Sequence, residues 1–271
     1  MIMPSTYHAH STFSDGKSTP EEMILAAIEA GCLEFGLSDH SYIEVYPWAV
    51  GIEKIPEYLD TLTALSDKYK DKIRIYKGIE LDLRSNLPTD GFDYIIGSVH
   101  LVETEGGLRD VDASAEYSRE TVEKYFGGDA YAYCEAYYSE VAQVIEKTRC
   151  DIIGHFDLVT KFIERDPTLF SIEHPRYIAA RNKALDALLS TPAVFEINTG
   201  AMSRGYRTSP YPEPSILREI VKRGGKLVLN SDSHHASTVT HAFAETKASL
   251  DLLGIELLPT MSDILAVSRG K

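Results

Sequence analysis

The sequence contains few cysteines, and they lie far apart. Only three of the 271 residues are cysteine, namely Cys32, Cys134 and Cys150, and no Cys-x-x-Cys pair occurs. This pattern excludes a disulfide-stabilised secreted domain and a zinc site built on cysteine. The first ten residues also show no secretory leader pattern. We therefore expect a reduced protein located in the cytoplasm.

Positive charge is also scarce. The chain has 27 Lys and Arg residues against 41 Asp and Glu residues, so its formal net charge is −14. A protein this acidic repels a phosphate backbone unless positive charge is concentrated locally. No apolar run approaches the roughly 18 residues that a membrane span requires. We expect neither a long nucleic acid nor a membrane among its partners.

Several common functional motifs are missing. The sequence has no GxxxxGK[ST] phosphate loop, no GxGxxG dinucleotide motif and no GxSxG nucleophile motif. It also has no repeat, low-complexity tract or long linker. Hydrophobic residues make up 44% of the chain, which is enough to build a core. Residues 1–271 are therefore predicted to form a single domain.

Strand-like and helix-like segments alternate along the chain. Strands are predicted over residues 5–8, 34–38, 73–81, 94–99, 151–154, 194–198 and 226–230. Helices are predicted over residues 20–30, 55–70, 111–147 with a break at Gly127 and Gly128, 175–189, 214–223 and 239–252. Because parallel strands need such crossovers, the pattern predicts an α/β fold with a parallel sheet. Seven units favour a closed barrel, and an open doubly wound sheet is the alternative.

Histidine or a carboxylate lies at or just beyond the ends of six of the seven predicted strands. The residues are His8, His10, Asp15, His40, Glu80, His100, His155, Asp232 and His234. In a parallel barrel these strand ends meet at one mouth. Imidazole nitrogens and carboxylate oxygens are ligands of Zn, Mn and Fe(II), and nine ligands exceed the need of one tetrahedral ion. The pattern therefore predicts a multinuclear metal centre, in which the adjacent Asp39 and Asp157 orient histidines.

Six short motifs in one order make the chain similar to a known family. They are His8–Gly16, Leu37–His40, Gly78–Glu80, Gly97–His100, Gly154–Asp157 and Ser231–His234. The chain resembles the PHP (polymerase and histidinol phosphatase) family of metal-dependent phosphoesterases. Two further segments, Glu196–Gly200 and Tyr211–Pro214, resemble its histidinol-phosphate phosphatase subgroup.

The resemblance implies a distorted (β/α)7 TIM-like barrel of the PHP type, with two to three divalent ions at the strand ends. One ion would be held by His8, His10, Glu80 and Asp232. A second would be held by Glu80, His100 and His155, with Glu80 bridging the two. A third would be held by Asp15, His40 and His234. Some family members carry histidine where this chain has Asp15.

The implied activity is hydrolysis of L-histidinol phosphate to L-histidinol and phosphate, a step of histidine biosynthesis. We hypothesise that a metal-bridging hydroxide attacks phosphorus, that Glu80 bridges the metals, and that Asp232 or a nearby histidine protonates the leaving group. Cations in the loops after two strands are expected to bind phosphate. The substrate-binding candidates are Lys161, Arg165, Arg204, His235, Tyr42 and Tyr117, with Glu44 and Trp48 as further possibilities.

Three alternatives stay open at this point. The chain could be a PHP-type phosphoesterase for another small phosphate ester, such as a nucleotide or an oligonucleotide. It could be a metal-binding regulatory domain without turnover, although a complete ligand set argues against that. It could also hydrolyse C–N bonds on a related barrel, a chemistry that commonly uses a carboxylated lysine, for which Lys161 is the nearest candidate.

Overall fold

Seven parallel strands form the centre of the protein in the computed structural model, which describes residues 4–270. The strands are β1 (Ser5–Thr6), β2 (Glu34–Leu37), β3 (Arg74–Asp82), β4 (Tyr94–Ser98), β7 (Ile152–Ile153), β8 (Val194–Asn198) and β9 (Lys226–Asn230). Each strand is hydrogen-bonded in parallel to the next, in the order β1-β2-β3-β4-β7-β8-β9. Two further strands, β5 (Leu101–Thr104) and β6 (Gly107–Asp110), form a separate antiparallel hairpin.

The sheet curves until its first and last strands meet. Just beyond these strands Ala9 and Ser233 form a parallel bridge, and the His10 amide donates to the Ser233 carbonyl at 2.8 Å. The Tyr7 amide donates to the Asn230 side chain at 2.8 Å. The predicted distorted (β/α)7 barrel is therefore confirmed, and the open sheet was the wrong alternative.

Helices connect the strands and cover the outside of the barrel. They are α1 (Pro20–Glu29), α2 (Ile55–Tyr69), α3 (Ala115–Tyr125), α4 (Ala130–Val141), α5 (Val144–Thr148), α6 (Pro175–Leu188), α7 (Gly200–Ser203), α8 (Pro214–Lys222), α9 (Phe243–Leu252) and α10 (Met261–Ser268). Helix α1 begins where predicted, because Thr19 and Glu22 form a capping box, each side chain accepting the other's amide. Among the described residues, none of the helices is long and apolar enough to cross a membrane.

Helix α10 closes the end of the barrel opposite the predicted metal centre. Its Met261 and Ile264 are fully buried. They pack in one cluster with interior residues from the strand starts, namely Tyr76, Tyr94, Ile152, Val194 and Val228. Above this apolar layer the interior becomes polar: along β8, Val194 packs toward α10, whereas Glu196, two residues further on, reaches the histidines.

The predicted elements differ most from the structure in three places, and the predicted helix over 111–147 is divided into α3, α4 and α5. Residues 101–110, left without an assignment, form the β5–β6 hairpin. The predicted last helix over 239–252 begins only at Phe243, after a short 3₁₀ turn over Ala236–Thr238. The actual last helix is α10, which begins where the Thr260 hydroxyl accepts the Asp263 amide.

Candidate metal centre

All nine predicted ligands come together at the C-terminal mouth of the barrel. The strands or the segments just after them supply His8, His10, His40, Glu80, His100, His155, Asp232 and His234, and Asp15 lies in the loop after His10. Eight of them form three overlapping groups, within each of which the ligand atoms lie within 4.8 Å of one another: His10, Asp15, His40 and His234; His8, His10 and Asp232; and His40, Glu80 and His100. His155 lies outside these groups but contacts Glu80 at 2.9 Å. The groups overlap the predicted ligand sets without coinciding with them, because Glu80 groups with His40.

Glu80 stands at the centre of this arrangement, and its two oxygens face different histidines. Glu80 Oε2 lies 2.7 Å from His40 Nδ1 and 3.4 Å from His8 Nε2. Glu80 Oε1 lies 2.9 Å from His155 Nε2 and 3.4 Å from His100 Nε2. A carboxylate that offers one oxygen to each side has the geometry to bridge two ions.

Asp232 completes the group around the first two histidines. Its Oδ1 lies 3.2 Å from His10 Nε2 and 3.8 Å from His8 Nε2. The same His10 Nε2 lies 3.7 Å from Glu80 Oε2. These four side chains thus converge as the resemblance implies for the first ion.

Asp15 organises the outermost group. Asp15 Oδ2 lies 3.2 Å from His234 Nε2, and Asp15 Oδ1 lies 3.8 Å from His40 Nε2. The centre of the His10 ring lies 4.3 Å from that of His40 and 4.1 Å from that of His234. The groups share members, since His10 and His40 each belong to two of them.

The residues fit divalent ions, because several of their buried polar atoms have no hydrogen-bond partner among the described residues. These atoms include His8 Nε2 and both ring nitrogens of His10. His8 and His10 are fully buried, and Glu80 is 1% exposed. Unpaired polar atoms this deep are costly, and coordination to a cation would satisfy them.

Two carboxylates outside the nine ligands orient histidines of the centre. Glu196 Oε2 accepts from His8 Nδ1 at 2.7 Å, and Asp82 Oδ2 accepts from His100 Nδ1 at 3.0 Å. Each bond leaves the Nε2 atom of the ring pointing at Glu80, free to coordinate. Sequence reasoning missed this role of both residues. The available signal was alternation, since each lies two residues from another inward-facing polar side chain of its strand.

The roles predicted for Asp39 and Asp157 are wrong. Asp39 accepts from the Ser11 amide at 2.7 Å and from the Ser14 hydroxyl at 2.6 Å. It therefore holds the loop after β1 rather than a histidine ring. Asp157 accepts the Glu213 amide at 2.9 Å. Proximity in sequence was misleading, because both side chains point away from the neighbouring histidine.

The ionisable groups of the cluster affect one another strongly: despite burial, Glu196 and Glu80 raise the pKa of His8, and Glu80 raises those of His40 and His100, so an ion would have to displace protons from these three rings. Burial would raise the pKa of Glu80, but His40, His8 and His100 outweigh it and hold that pKa well below its ordinary value. Burial and the rings of His234 and His40 lower the pKa of His10 to about 3. Glu80 is thus an ionised carboxylate and His10 a neutral imidazole, as coordination requires.

Asp232 sits in a tightly fitted position. Its backbone has a positive φ of 46°, which is unusual for a residue other than glycine. A Cβ on Gly200 would lie 2.6 Å from Asp232 Oδ2 and 2.9 Å from Asp232 Cβ. Gly200 therefore leaves the space that Asp232 needs to face the histidines.

Of the predicted substrate-binding cations, Arg204 reaches the centre. Its Nη2 lies 3.2 Å from Asp232 Oδ2, and its Nη1 lies 2.9 Å from His234 Nδ1. Lys161 is bonded to Asp112 at 2.9 Å. Arg165 donates to the Gly205 carbonyl at 3.0 Å, next to Arg204 in sequence. Lys161 and Arg165 both stand over the ring of Tyr206, at 5.0 and 4.7 Å.

The structure does not place the other three candidates among the metal ligands. His235 is exposed, and its Nδ1 accepts the Ser237 amide at 3.2 Å, so it caps the 3₁₀ turn that follows. Tyr117 lies beside Arg109 of the β5–β6 hairpin. Tyr42 is 44% exposed, on the loop after His40. Their side chains follow local turn and hairpin contacts that strand-end reasoning does not reveal.

Comparison with known proteins agrees with this architecture. The family model described as "PHP domain" matches residues 6–200. The "Probable histidinol-phosphatase" of Deinococcus radiodurans is 28% identical over 250 residues, covering 88% of this chain and 89% of that protein. The "Histidinol-phosphatase" of Lactococcus lactis is 28% identical over 276 residues, covering 94% and 93%.

A solved structure shares the fold. The crystal structure of histidinol phosphate phosphatase from Lactococcus lactis, complexed with zinc, L-histidinol and phosphate, superposes with a TM-score of 0.68. It is 23% identical, and the match covers 95% of this chain and 96% of that one. With the family model matching well over half of the sequence, the chain belongs to the PHP domain family.

Proposed function

We propose that this protein hydrolyses L-histidinol phosphate to L-histidinol and inorganic phosphate. One observation carries the proposal: nine histidine and carboxylate side chains converge at the barrel mouth of a chain that aligns almost end to end with histidinol-phosphatases. The Lactococcus lactis structure holds zinc and both products of that reaction. The activity is that of a phosphoric monoester hydrolase, acting in histidine biosynthesis.

The proposed cofactors are two to three ions of Zn, Mn or Fe. His8, His10, Glu80 and Asp232 would hold one ion, and Glu80 would share a second with His100 and His155. Asp15, His40 and His234 would hold a third. Such ions lower the pKa of water and offset the negative charge of the phosphoryl group. The two oxygens of Glu80, facing opposite sides of the cluster, support its bridging role.

Arg204 is the residue best placed to bind phosphate. Its guanidinium contacts Asp232 and His234, and its Nε has no hydrogen-bond partner among the described residues. A phosphate monoester is a dianion near neutral pH, which a protein of net charge −14 would otherwise repel. We propose that Arg204 binds the phosphoryl oxygens, with Arg165 adding positive charge; the charge of Lys161 is compensated by Asp112.

Asp232 acts as a carboxylate rather than as a proton donor in this proposal. Burial would raise its pKa, but Arg204 and His8 outweigh that effect and hold it well below its ordinary value. A group that is ionised in the resting protein has no proton to give to the leaving alkoxide. Its role is therefore to bind metal and to orient Arg204.

The test is phosphate release by the metal-replete protein from four esters. They are L-histidinol phosphate, p-nitrophenyl phosphate, a nucleoside monophosphate and bis-p-nitrophenyl phosphate. We expect kcat/KM for L-histidinol phosphate to exceed the others by several orders of magnitude. A His8→Ala/His10→Ala double variant should lose this activity, whereas the control His241→Ala, which changes an exposed histidine, should keep it.

A preference for the nucleotide or the diester would contradict the histidinol-phosphate assignment and favour another phosphoesterase activity. Equal, low rates on every ester would contradict it as well. Full activity in the double variant would show that the reaction does not depend on this centre.

A further inference from the structure

The loop between β2 and α2 is a well-anchored segment beside the metal centre. We call residues 41–50 the aromatic loop. The Val50 amide donates to the His40 carbonyl at 2.8 Å, and the Tyr42 amide donates to the Val50 carbonyl at 2.9 Å. Its Ile43, Ala49 and Val50 are buried. The base of the loop is therefore tied directly to a predicted metal ligand.

Two aromatic rings of this loop face the histidines. The Trp48 ring lies 5.5 Å from the His40 ring, edge to face, and 5.1 Å from the Tyr46 ring. The Tyr46 ring lies 6.4 Å from the His100 ring. Trp48 is nevertheless 40% exposed. A large ring left partly open beside the metal ligands offers an apolar face to whatever enters the mouth.

Negative charge lies next to these rings. The Tyr46 hydroxyl donates to Asp110 Oδ2 at 2.5 Å, and the adjacent Asp112 is paired with Lys161 at 2.9 Å. Lys161 thus compensates one of the two carboxylates. Burial and the neighbouring Asp112 raise the pKa of Asp110 to about 7, so a cation bound beside this carboxyl group would favour its charged form. The Tyr46 hydroxyl holds Asp110 beside the aromatic loop.

The mouth therefore has two sides of opposite character. Arg204 stands against Asp232 and His234 on one side, where it attracts phosphate and repels a cation. Trp48, Tyr46 and Asp110 stand against His40 and His100 on the other. An ester whose phosphate lies on the metal centre would extend its organic part toward this second side.

We propose that the aromatic loop and Asp110 form the subsite for the organic part of the substrate, which carries both a ring and a positive charge. The Trp48 indole packs against the ring, and the Asp110 carboxylate binds the ammonium group. Tyr46 is a positioning residue, because it holds Asp110 through its hydroxyl. This inference rests on the proposed function and names the residues that would make the protein selective for its substrate.

Four phosphate esters separate the two contributions. L-Histidinol phosphate has a ring and an ammonium group, p-nitrophenyl phosphate has only the ring, 2-aminoethyl phosphate has only the ammonium group, and glycerol phosphate has neither. We expect Trp48→Ala to lower kcat/KM about tenfold for the two ring-bearing esters. Asp110→Asn should do the same for the two ammonium-bearing esters. Neither variant should change hydrolysis of glycerol phosphate.

Tyr46→Phe removes only the hydroxyl that contacts Asp110. We expect it to reproduce part of the Asp110→Asn effect, raising KM for the ammonium-bearing esters while leaving the two others unchanged. The matched control is Tyr125→Phe at the end of α3, which removes a hydroxyl that contacts Arg109 of the β5–β6 hairpin. The control should leave kcat/KM unchanged for all four esters.

Binding can also be observed without turnover, because Trp48 is the single tryptophan of the chain. Its fluorescence should change on titration with L-histidinol in the presence of zinc, and Asp110→Asn should weaken that binding about tenfold. Glycerol should cause no change. The Trp48→Phe variant shows how much of the fluorescence signal comes from the tyrosines.

Two results would overturn the inference. One is that Trp48→Ala and Asp110→Asn lower kcat/KM equally for all four esters, or for none of them. The other is that saturating L-histidinol leaves Trp48 fluorescence unchanged. These results are distinct from failure of the proposed function, in which the unaltered protein itself shows no preference for L-histidinol phosphate.

Discussion

Glu196 is a single buried side chain that hydrogen-bonds to several parts of the candidate metal centre. Besides His8 Nδ1, it accepts the His155 amide at 3.0 Å, Asn198 Nδ2 at 2.6 Å and Asn230 Nδ2 at 3.0 Å. Its four bonds link β8 to the segments after β1 and β7 and to β9. Because the donors fully satisfy the carboxylate, it can remain ionised in the barrel interior.

We predict that Glu196→Gln lowers metal affinity about 10- to 100-fold while the fold is kept. The amide retains the shape of the side chain, but half of its acceptor capacity is replaced by a donor, so His8 loses its oriented tautomer. Zinc titration by calorimetry measures the effect, and Glu103→Gln on an exposed glutamate is the control. Unchanged affinity would show that Glu196 serves packing alone.

At this scale the sequence indicates which residues meet but not how they are held. Histidines and carboxylates at parallel strand ends predict convergence, because the fold brings those ends together. Whether a neighbouring carboxylate turns toward the cluster depends on backbone direction at one residue, which is why Glu196 and Asp82 were missed and Asp39 was assigned wrongly. Contacts such as Trp48 with His40 depend on loop conformation, which has no periodic signal.

Among the secondary-structure elements, the short helix α10 contributes strongly to closing and fastening the barrel. Its eight residues close one end of the barrel. The Met261 amide also donates at 2.9 Å to Glu34 Oε2, which accepts the Tyr7 hydroxyl at 2.5 Å. The helix is therefore fastened both by apolar packing and by a buried carboxylate.

Met261→Ala should lower the free energy of unfolding by about 2–5 kcal/mol, because it leaves a cavity in a fully buried layer. Leu252→Ala is the matched control, since Leu252 is 89% exposed and should change stability by less than about 0.5 kcal/mol. Urea unfolding measures both variants. If both variants unfold with the same free energy, α10 covers the barrel without stabilising it.

Most strands and helices could be predicted, because hydrophobic runs and helix caps are local signals. The β5–β6 hairpin was missed although Gly106 and Gly107 mark its turn, and α10 was missed although Thr260 and Asp263 mark its start. Both are additions to the repeating βα pattern, so a prediction based on that pattern does not include them.

At the scale of the whole molecule, the barrel closes along the seam between β1 and β9, which are not paired with each other in the strand order of the sheet. Beyond the two strands it is joined through the Ala9–Ser233 bridge. His8 and His10 follow one strand, and Asp232 follows the other. Metal ions bound to these three would join the two ends of the sheet, which are about 220 residues apart in sequence.

We therefore expect zinc to raise the unfolding temperature, by an amount equivalent to about 2.7 kcal/mol at a hundredfold excess over the dissociation constant. Hydrogen exchange should slow at the His10 amide, which donates across the seam. Chelation should reverse both effects, the His8→Ala/His10→Ala variant should lack them, and His241→Ala should retain them. Metal binding without added protection at His10 would contradict this role.

Helix α10 packs across the end of the barrel opposite the metal ligands, so we expect substrate and products to pass through the C-terminal mouth. In the proposed arrangement, phosphate would lie between Arg204 and the histidines, and the alcohol would lie beside Trp48, which is 40% exposed. We therefore expect the alcohol to be released first and inorganic phosphate to be the last product that leaves in each catalytic cycle.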